Sequence, residues 1–172
     1  LTAALIEHWG EAKTENWVEG LVNNFARPPV GGDRDQIKAV AAGVCDIAVA
    51  NTYYFGLMQT STDAEDRAAA EKVSIFWPNQ EQFGTHVNVS GIGLTQHAKN
   101  KTEAEQLIAF LLSPEAQAWY AATNNEYPAV TDVEWSETLQ AWGDFKMDDI
   151  EMRVLGENNA AAVKLMNRAG WR

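Results

Sequence analysis

The spacing of apolar residues predicts helices over most of this chain. Residues 2–25 show helical spacing that is interrupted at Gly10, which predicts two helices separated by a break. A third helix is expected to begin with Asp33 as its cap and to end at Gly43, because aspartate favours helix starts and glycine favours helix ends. A final helix is expected from Leu155 to Gly170.

Two adjacent helices in the middle of the chain carry clear start signals. Thr102 and Glu105 have the spacing of a capping box in front of the apolar run "AEQLIAFLL". Ser113 is a favoured N-cap, and Pro114 follows it at the first helical position, where proline is well tolerated. The pattern therefore predicts a helical pair over residues 102–123.

Short apolar runs between the helices predict strands. They are "CDIAVA" at 45–50, "VSIFWP" at 73–78 and a longer extended stretch, "HVNVSGIGLT", at 86–95. The first run is almost continuously apolar, which is typical of a parallel strand covered on both faces. Helices that alternate with a few strands indicate the α/β class.

Composition narrows the classes of partner. The chain has 172 residues, with 24 acidic and 13 basic residues and a net charge of −11, which argues against binding to nucleic acid or to an anionic membrane surface. No apolar run approaches the ~20 residues that a membrane span needs. Without a start methionine or a signal peptide, the chain is expected to be a mature product or a fragment. Cys45, the single cysteine, excludes an internal disulfide and is expected to be buried.

The common catalytic motifs are absent, so nothing in the sequence predicts an enzyme. His8, His86 and His97 lie far apart in the sequence without the HExxH spacing of a zinc enzyme. There is no Walker loop and no G-x-S-x-G elbow. The acid pair Asp148–Asp149 is expected to be solvated.

Two motifs leave alternatives open from the residues alone. The stretch "GGDRD" at 31–35 is either a turn with a helix cap or a nest of amides that binds an anion. In "AVANTYYFG" at 48–56, Tyr53 and Tyr54 follow a predicted strand, where the backbone should turn. The pair either packs in a loop or binds a metal ion. Phenolates are hard anionic donors that suit ferric iron, whereas zinc and calcium prefer Cys/His or carboxylate clusters.

Three longer blocks resemble the ferric-iron-binding proteins of bacterial ABC importers. They are "PPVGGDRDQIKAVAAGVCDIAVANTYYFGLM", "GTHVNVSGIGLTQHAKNKTEAEQLIAFLLSPEAQAWYAATNNEYP" and "LGENNAAAVKLMNRAGW". Together they run in order along essentially the whole chain. The resemblance implies a two-lobed, hinged, periplasmic-binding-protein-like fold of type II, and it favours the metal interpretation of the tyrosine pair.

The resemblance also implies a set of site residues. Tyr53 and Tyr54 match the paired tyrosines that ligate iron in the family, and Asn51 matches a polar residue near the iron or its accompanying anion. Asp33 is assigned to the same surroundings. The implied ligand is Fe(III), with a synergistic anion such as carbonate or citrate, and no catalysis is implied.

Family members are about twice as long as this chain, so the resemblance also implies a lobe assignment. Residues 1–83 and 135–172 would belong to the second lobe, and residues 84–134 to a return segment of the first. A further ligand tyrosine of many members would precede residue 1. The full-length protein is expected to be a monomer, and the 172-residue chain is expected to self-associate through 84–134.

The implied function is that of the periplasmic substrate-binding component of an iron importer, which delivers ferric iron to an inner-membrane ABC permease. The alternative is a binding protein for another small solute, such as an organic anion or a sugar phosphate. In that case "GGDRD" would do more of the binding, and the tyrosines would stack or donate hydrogen bonds. A solute-binding remnant that acts as an interaction module is a third hypothesis.

Overall fold

The computed structural model describes residues 1–171 of the chain. Helices dominate this part. The described helices are α1 (Thr2–Trp9), α2 (Glu11–Asn23), α3 (Asp33–Ala41), α4 (Thr52–Gln59), α5 (Ala64–Ala70), α6 (Lys101–Leu111), α7 (Pro114–Asn124), α8 (Glu137–Ala141) and α9 (Met152–Arg168). The chain divides into two compact units. One comprises 1–30, 76–88 and 145–171, and the other comprises 31–75 and 89–144.

The first unit is built on three helices, α1, α2 and α9, which pack against one another. Its core contains Ile6, Val18, Ala162 and Leu165, and the last of these is fully buried. Gly10 has a φ of 78°, in the left-handed region that glycine tolerates best, so the predicted break between α1 and α2 is confirmed.

The second unit holds the elements that matter for the predicted site. Helices α3, α4 and α5 pack together around Ile37, Phe55, Met58 and Ala70, and α4 also contacts α7. Helices α6, α7 and α8 complete the unit. The lobe boundaries expected at residues 84 and 134 refer to a complete two-lobed protein, and they stay a prediction.

Most predicted helix ends are confirmed, but three starts differ. One is that of α9, which begins at Met152 rather than at Leu155. Ser113 Oγ accepts a hydrogen bond from the Ala116 amide, as a cap should, with Pro114 at the first helical position. The prediction that Asp33 caps α3 is wrong, because Gly32 is the N-cap and Asp33 is the first helical residue. Helix α6 likewise begins one residue before Thr102, and Asn100 is its N-cap.

The three predicted strands lack a ladder within the described chain. No helix forms over the predicted strand segments 45–50, 73–77 and 86–95. Among residues 1–171, the one isolated β-bridge joins Thr85 to Met147 in parallel. The predicted cover of 45–50 on both faces is wrong for this chain, since Ile47 is 81% exposed. A strand requires the amides and carbonyls of a second strand, and no strand pairs with these segments among residues 1–171.

Two further predictions concern the single cysteine and membrane spans. Cys45 is partly buried and free, so the buried thiol is found only in part. None of the helices in the described residues is long and apolar enough to cross a membrane.

Candidate metal centre at the start of helix α4

The predicted tyrosine ligands lie in the first turn of helix α4 and not in a loop. The sequence predicted a turn at "TYYFG", but Thr52 opens the helix and Asn51 is its N-cap, with extended backbone angles. The next residue after the pair, Phe55, is buried in the core of the unit, and Met58 on the following turn is fully buried. The apolar half of α4 therefore anchors the helix while its first turn presents the two phenols.

The two phenol rings lie close together. Consecutive helical residues point about 100° apart, yet the ring centroids of Tyr53 and Tyr54 are 4.4 Å apart, with the planes inclined by 42°. Both side chains are partly exposed. Two hard oxygen donors thus converge on one side of the helix start, where solvent can reach them.

The surroundings keep Tyr53 protonated when no cation is bound. The pKa of Tyr53 is raised, first by its side-chain hydrogen bond with Tyr54, then by burial, and then by the electrostatic effect of its neighbours, which include the carboxylates of Asp33 and Glu126. The same negative charges favour a bound cation, because a cation replaces the proton as the positive partner of the phenolate. This site is therefore anionic in character.

Asp33 and Asn51 are in direct contact, although 18 residues separate them. Asp33 Oδ1 accepts hydrogen bonds from the Asn51 backbone amide at 2.7 Å and from Asn51 Nδ2 at 3.1 Å. The contact ties the start of α3 to the start of α4, directly before the tyrosine pair. The structure therefore brings the four predicted site residues together in one unit, and their roles in binding stay a prediction.

The two alternatives for "GGDRD" can be compared with the backbone contacts. The Gly32 amide donates a 2.8 Å hydrogen bond to Asp35 Oδ2. Gly31 has a φ of 84°, which glycine tolerates best, and the side chain of Asp35 occupies the space where a Cβ atom of residue 31 would lie. An anion nest needs such amides to face the ligand. Here a carboxylate of the same chain occupies one of them, which favours the turn with a helix start.

Glu126, which follows helix α7, is not among the predicted site residues. Its charge contributes to the electrostatics of Tyr53, and Glu126 Oε1 accepts a hydrogen bond from Ser90 Oγ at 3.2 Å. A single acidic residue in a loop gives no local signal of function. Only the packing of the loop against α4 reveals that it lies near the tyrosines.

His8 and His86 belong to the first unit, whereas the tyrosine pair belongs to the second. The contact of His8 with Asp148 corrects a prediction. Asp148 was expected to be solvated, but its side chain is fully buried and Oδ2 lies 2.9 Å from His8 Nε2. His8 also stacks on Phe83, with centroids 3.9 Å apart. Burial lowers the pKa of His86 nearby. Among residues 1–171, no three His, Cys, Asp or Glu side chains form a group that could hold a metal ion.

Comparisons with known proteins agree with the resemblance seen in the sequence. Iron uptake protein A1 of Synechocystis is 45% identical over all 172 residues, which correspond to 48% of that protein. A Trichodesmium protein solved in complex with iron and citrate is 49% identical, with a TM-score of 0.96 over 100% of this chain and 54% of that one. The ferric binding protein from Campylobacter jejuni is 40% identical, with a TM-score of 0.95 and the same coverage.

These likenesses confirm the predicted α/β, type II periplasmic-binding-protein-like fold and the similarity to ferric-iron-binding proteins. The chain spans about half the length of the curated relatives it matches. The model of one family, bacterial extracellular solute-binding protein, matches residues 9–147. Since that match extends over most of the sequence, this chain belongs to the family of bacterial extracellular solute-binding proteins.

Proposed function

We propose that this chain is part of the solute-binding component of an ABC-type iron importer and that it binds ferric iron through Tyr53 and Tyr54. The protein would work in the periplasm, without catalysis, and would deliver its iron to an inner-membrane permease. Relatives whose names specify iron uptake or ferric iron support the choice of solute.

The observation that carries the proposal is the convergence of the two phenols at the start of α4. Ring centroids 4.4 Å apart on a partly exposed helical turn allow both oxygens to approach one ion. Phenolate is a hard donor, and a trivalent ion is acidic enough to displace the phenolic proton at neutral pH. The nearby carboxylates of Asp33 and Glu126 add negative charge that a cation would partly neutralise.

Two phenolates leave most of the coordination positions of ferric iron unfilled. We assign the remainder to water, to groups outside residues 1–171 and to a synergistic anion such as citrate or carbonate. The Trichodesmium relative was solved with citrate as well as iron. Asn51 lies one residue before α4 and is held by Asp33, so it is the candidate to orient water or an anion beside the tyrosines.

The test is a titration of the 172-residue chain with ferric citrate, followed by visible absorption. Phenolate bound to ferric iron absorbs visible light, so the wild-type chain should develop a coloured band that saturates. Tyr53→Phe and Tyr54→Phe each keep the ring and remove one donor oxygen. Each variant should show a weaker band and an affinity lower by at least about tenfold.

Tyr120→Phe is the matched control, because it makes the same change on α7 in the same unit, where the ring of Tyr120 packs edge-on against Trp119. It should leave the band and the affinity unchanged. A colourless wild-type chain that binds citrate without iron would instead support a binding protein for an organic anion. Wild-type iron affinity in both tyrosine variants would refute the proposal.

A further inference from the structure

The loop after helix α7 is fixed against helix α4 at a point of close backbone approach. Asn125 ends α7 in a left-handed conformation, with a φ of 56°, and is only 4% exposed. A Cβ atom on Gly56 of α4 would lie 2.6 Å from Asn125 Cγ. The two elements therefore meet without room for a single additional methyl group.

Further contacts hold the rest of this loop. The buried Gln117 donates to the Leu111 carbonyl at 2.7 Å and accepts from the Ala129 amide at 2.7 Å. The ring of Tyr127 packs edge-on against Trp135, with centroids 4.9 Å apart. Residues 125–129 are thus restrained at both ends, and Glu126 lies between these fixed points.

The side chain of Glu126 is partly buried and also has a partner of its own. Ser90 Oγ donates to Oε1 at 3.2 Å, which leaves the second carboxylate oxygen for another interaction. No cation of the chain is paired with Glu126 among the ion pairs of residues 1–171. Asn125, the residue before it, meets Gly56 on the helix that carries the tyrosine pair, so Glu126 lies beside α4.

We propose that Glu126 is a further residue of the binding site, whose fixed negative charge strengthens the binding of a trivalent cation at the tyrosine pair. The inference rests on the proposed function, since it assumes that Tyr53 and Tyr54 hold the cation. Two phenolates alone leave one positive charge of a trivalent ion unbalanced. Asp33 also carries a carboxylate near the pair, but its Oδ1 already accepts two hydrogen bonds from Asn51, so Glu126 is a further source of negative charge. A restrained carboxylate supplies that charge without having to be reoriented when the ion arrives.

The effect of a charge can be separated from the effect of the hydrogen bond to Ser90. Glu126→Gln removes the charge and keeps the shape and one acceptor oxygen. Ser90→Ala removes the hydrogen bond and keeps the charge. Glu103→Gln is the matched control, because it makes the same change of net charge on an exposed residue of α6 in the same unit.

The experiment measures the affinity of each variant for ferric iron and for gallium(III), a trivalent ion that binds without redox chemistry. Glu126→Gln should weaken both by about tenfold, more at low salt than at high salt. Glu103→Gln and Ser90→Ala should stay within about threefold of the wild type. The visible band of iron-saturated Glu126→Gln should persist, because the phenolate ligands are intact, and its melting temperature should match that of the wild type.

Two results would overturn the inference. One is an affinity of Glu126→Gln within about twofold of the wild type, and the other is an equal loss in Ser90→Ala, which would assign the effect to the hydrogen bond. Both outcomes can be distinguished from failure of the proposed function. If the proposed function failed, Tyr53→Phe and Tyr54→Phe would also bind ferric iron with the affinity of the wild type.

Discussion

At the scale of single residues, the phenols of the site must lose protons before they can bind a metal ion. The pKa of Tyr53 is raised, chiefly by its hydrogen bond with Tyr54, so its neutral form dominates at neutral pH. A cation bound by Tyr53 as a phenolate would therefore release a proton from this side chain, and acid would oppose binding by mass action. We therefore predict that an ion bound by these phenols is released as the pH falls.

Iron affinity should consequently decrease between about pH 7.5 and about pH 5.5, by up to tenfold per pH unit for each proton released. The measurement is competition against a chelator whose own pH dependence is known. Tyr53→Phe should show a shallower dependence than the wild type, because one phenolic proton is missing. Equal slopes in the two proteins would argue against ligation by Tyr53.

A second residue-scale prediction concerns the buried carboxylate of Asp148. It is 2.9 Å from His8 and has no exposed side-chain surface, so Asp148→Asn replaces a buried charge-assisted hydrogen bond by a weaker one. We expect a loss of about 1–3 kcal/mol in the free energy of unfolding, measured with urea. Asp149→Asn is the control, because the side chain of Asp149 is exposed. This substitution should change the free energy of unfolding by less than about 0.5 kcal/mol.

At the scale of elements, the close approach of α4 and the loop after α7 predicts an unusual response to alanine. Gly56→Ala would press a methyl group into Asn125 and should destabilise the chain by about 1–3 kcal/mol. Because the displaced loop carries Glu126, iron affinity should decrease as well. Thermal unfolding and the iron titration together measure both effects.

Gly20→Ala is the matched control for that substitution. Gly20 also lies inside a helix, α2, but nothing approaches its Cβ position within 4 Å. Alanine there should leave iron binding unchanged and raise stability by about 0.5–1 kcal/mol, as expected from helix propensity. If Gly56→Ala behaved in the same way, the packing described between α4 and Asn125 would be wrong.

The elements that the sequence predicts well are those whose signals are local. Gly10 and Ser113 act within a few residues, so a break and a cap can be seen without knowing the fold. Strand pairing and the position of Glu126 depend on residues far away in the sequence, so no local pattern reveals them. Residues 45–50 have strand character, but a strand forms only with a partner.

The difference between local signals and long-range contacts also explains how much of the candidate site could be predicted from the sequence. Tyr53 and Tyr54 attract attention as adjacent residues, and the resemblance adds Asn51 and Asp33. The hydrogen bonds that join Asp33 to Asn51 span 18 residues and could not be deduced from either residue alone.

At the scale of the whole molecule, several large apolar side chains are exposed in the segment predicted to self-associate. They are Val89, Ile92, Leu94, Leu107, Phe110, Leu112 and Trp119, each between 38% and 59% exposed. Apolar surface of this extent favours association in water. We predict that the 172-residue chain forms dimers or larger species as its concentration rises.

Light scattering over a range of concentrations would test that prediction. Phe110→Lys on α6 should reduce the average mass, whereas Val163→Lys on α9, where Val163 is 44% exposed, should not. A wild-type chain that stays monomeric at all concentrations would contradict the prediction, and an equal effect of both substitutions would show that another surface associates.

The central claim is that both tyrosines bind the metal ion as phenolates, and an ultraviolet difference spectrum tests it most directly by counting ionised phenols. Gallium(III) is added to the wild-type chain at neutral pH, and the tyrosinate absorbance gained per bound ion is measured. The account predicts two phenols ionised per ion in the wild type, one in Tyr53→Phe or Tyr54→Phe, and two again in Tyr120→Phe. Binding of gallium(III) without any tyrosinate signal would contradict it.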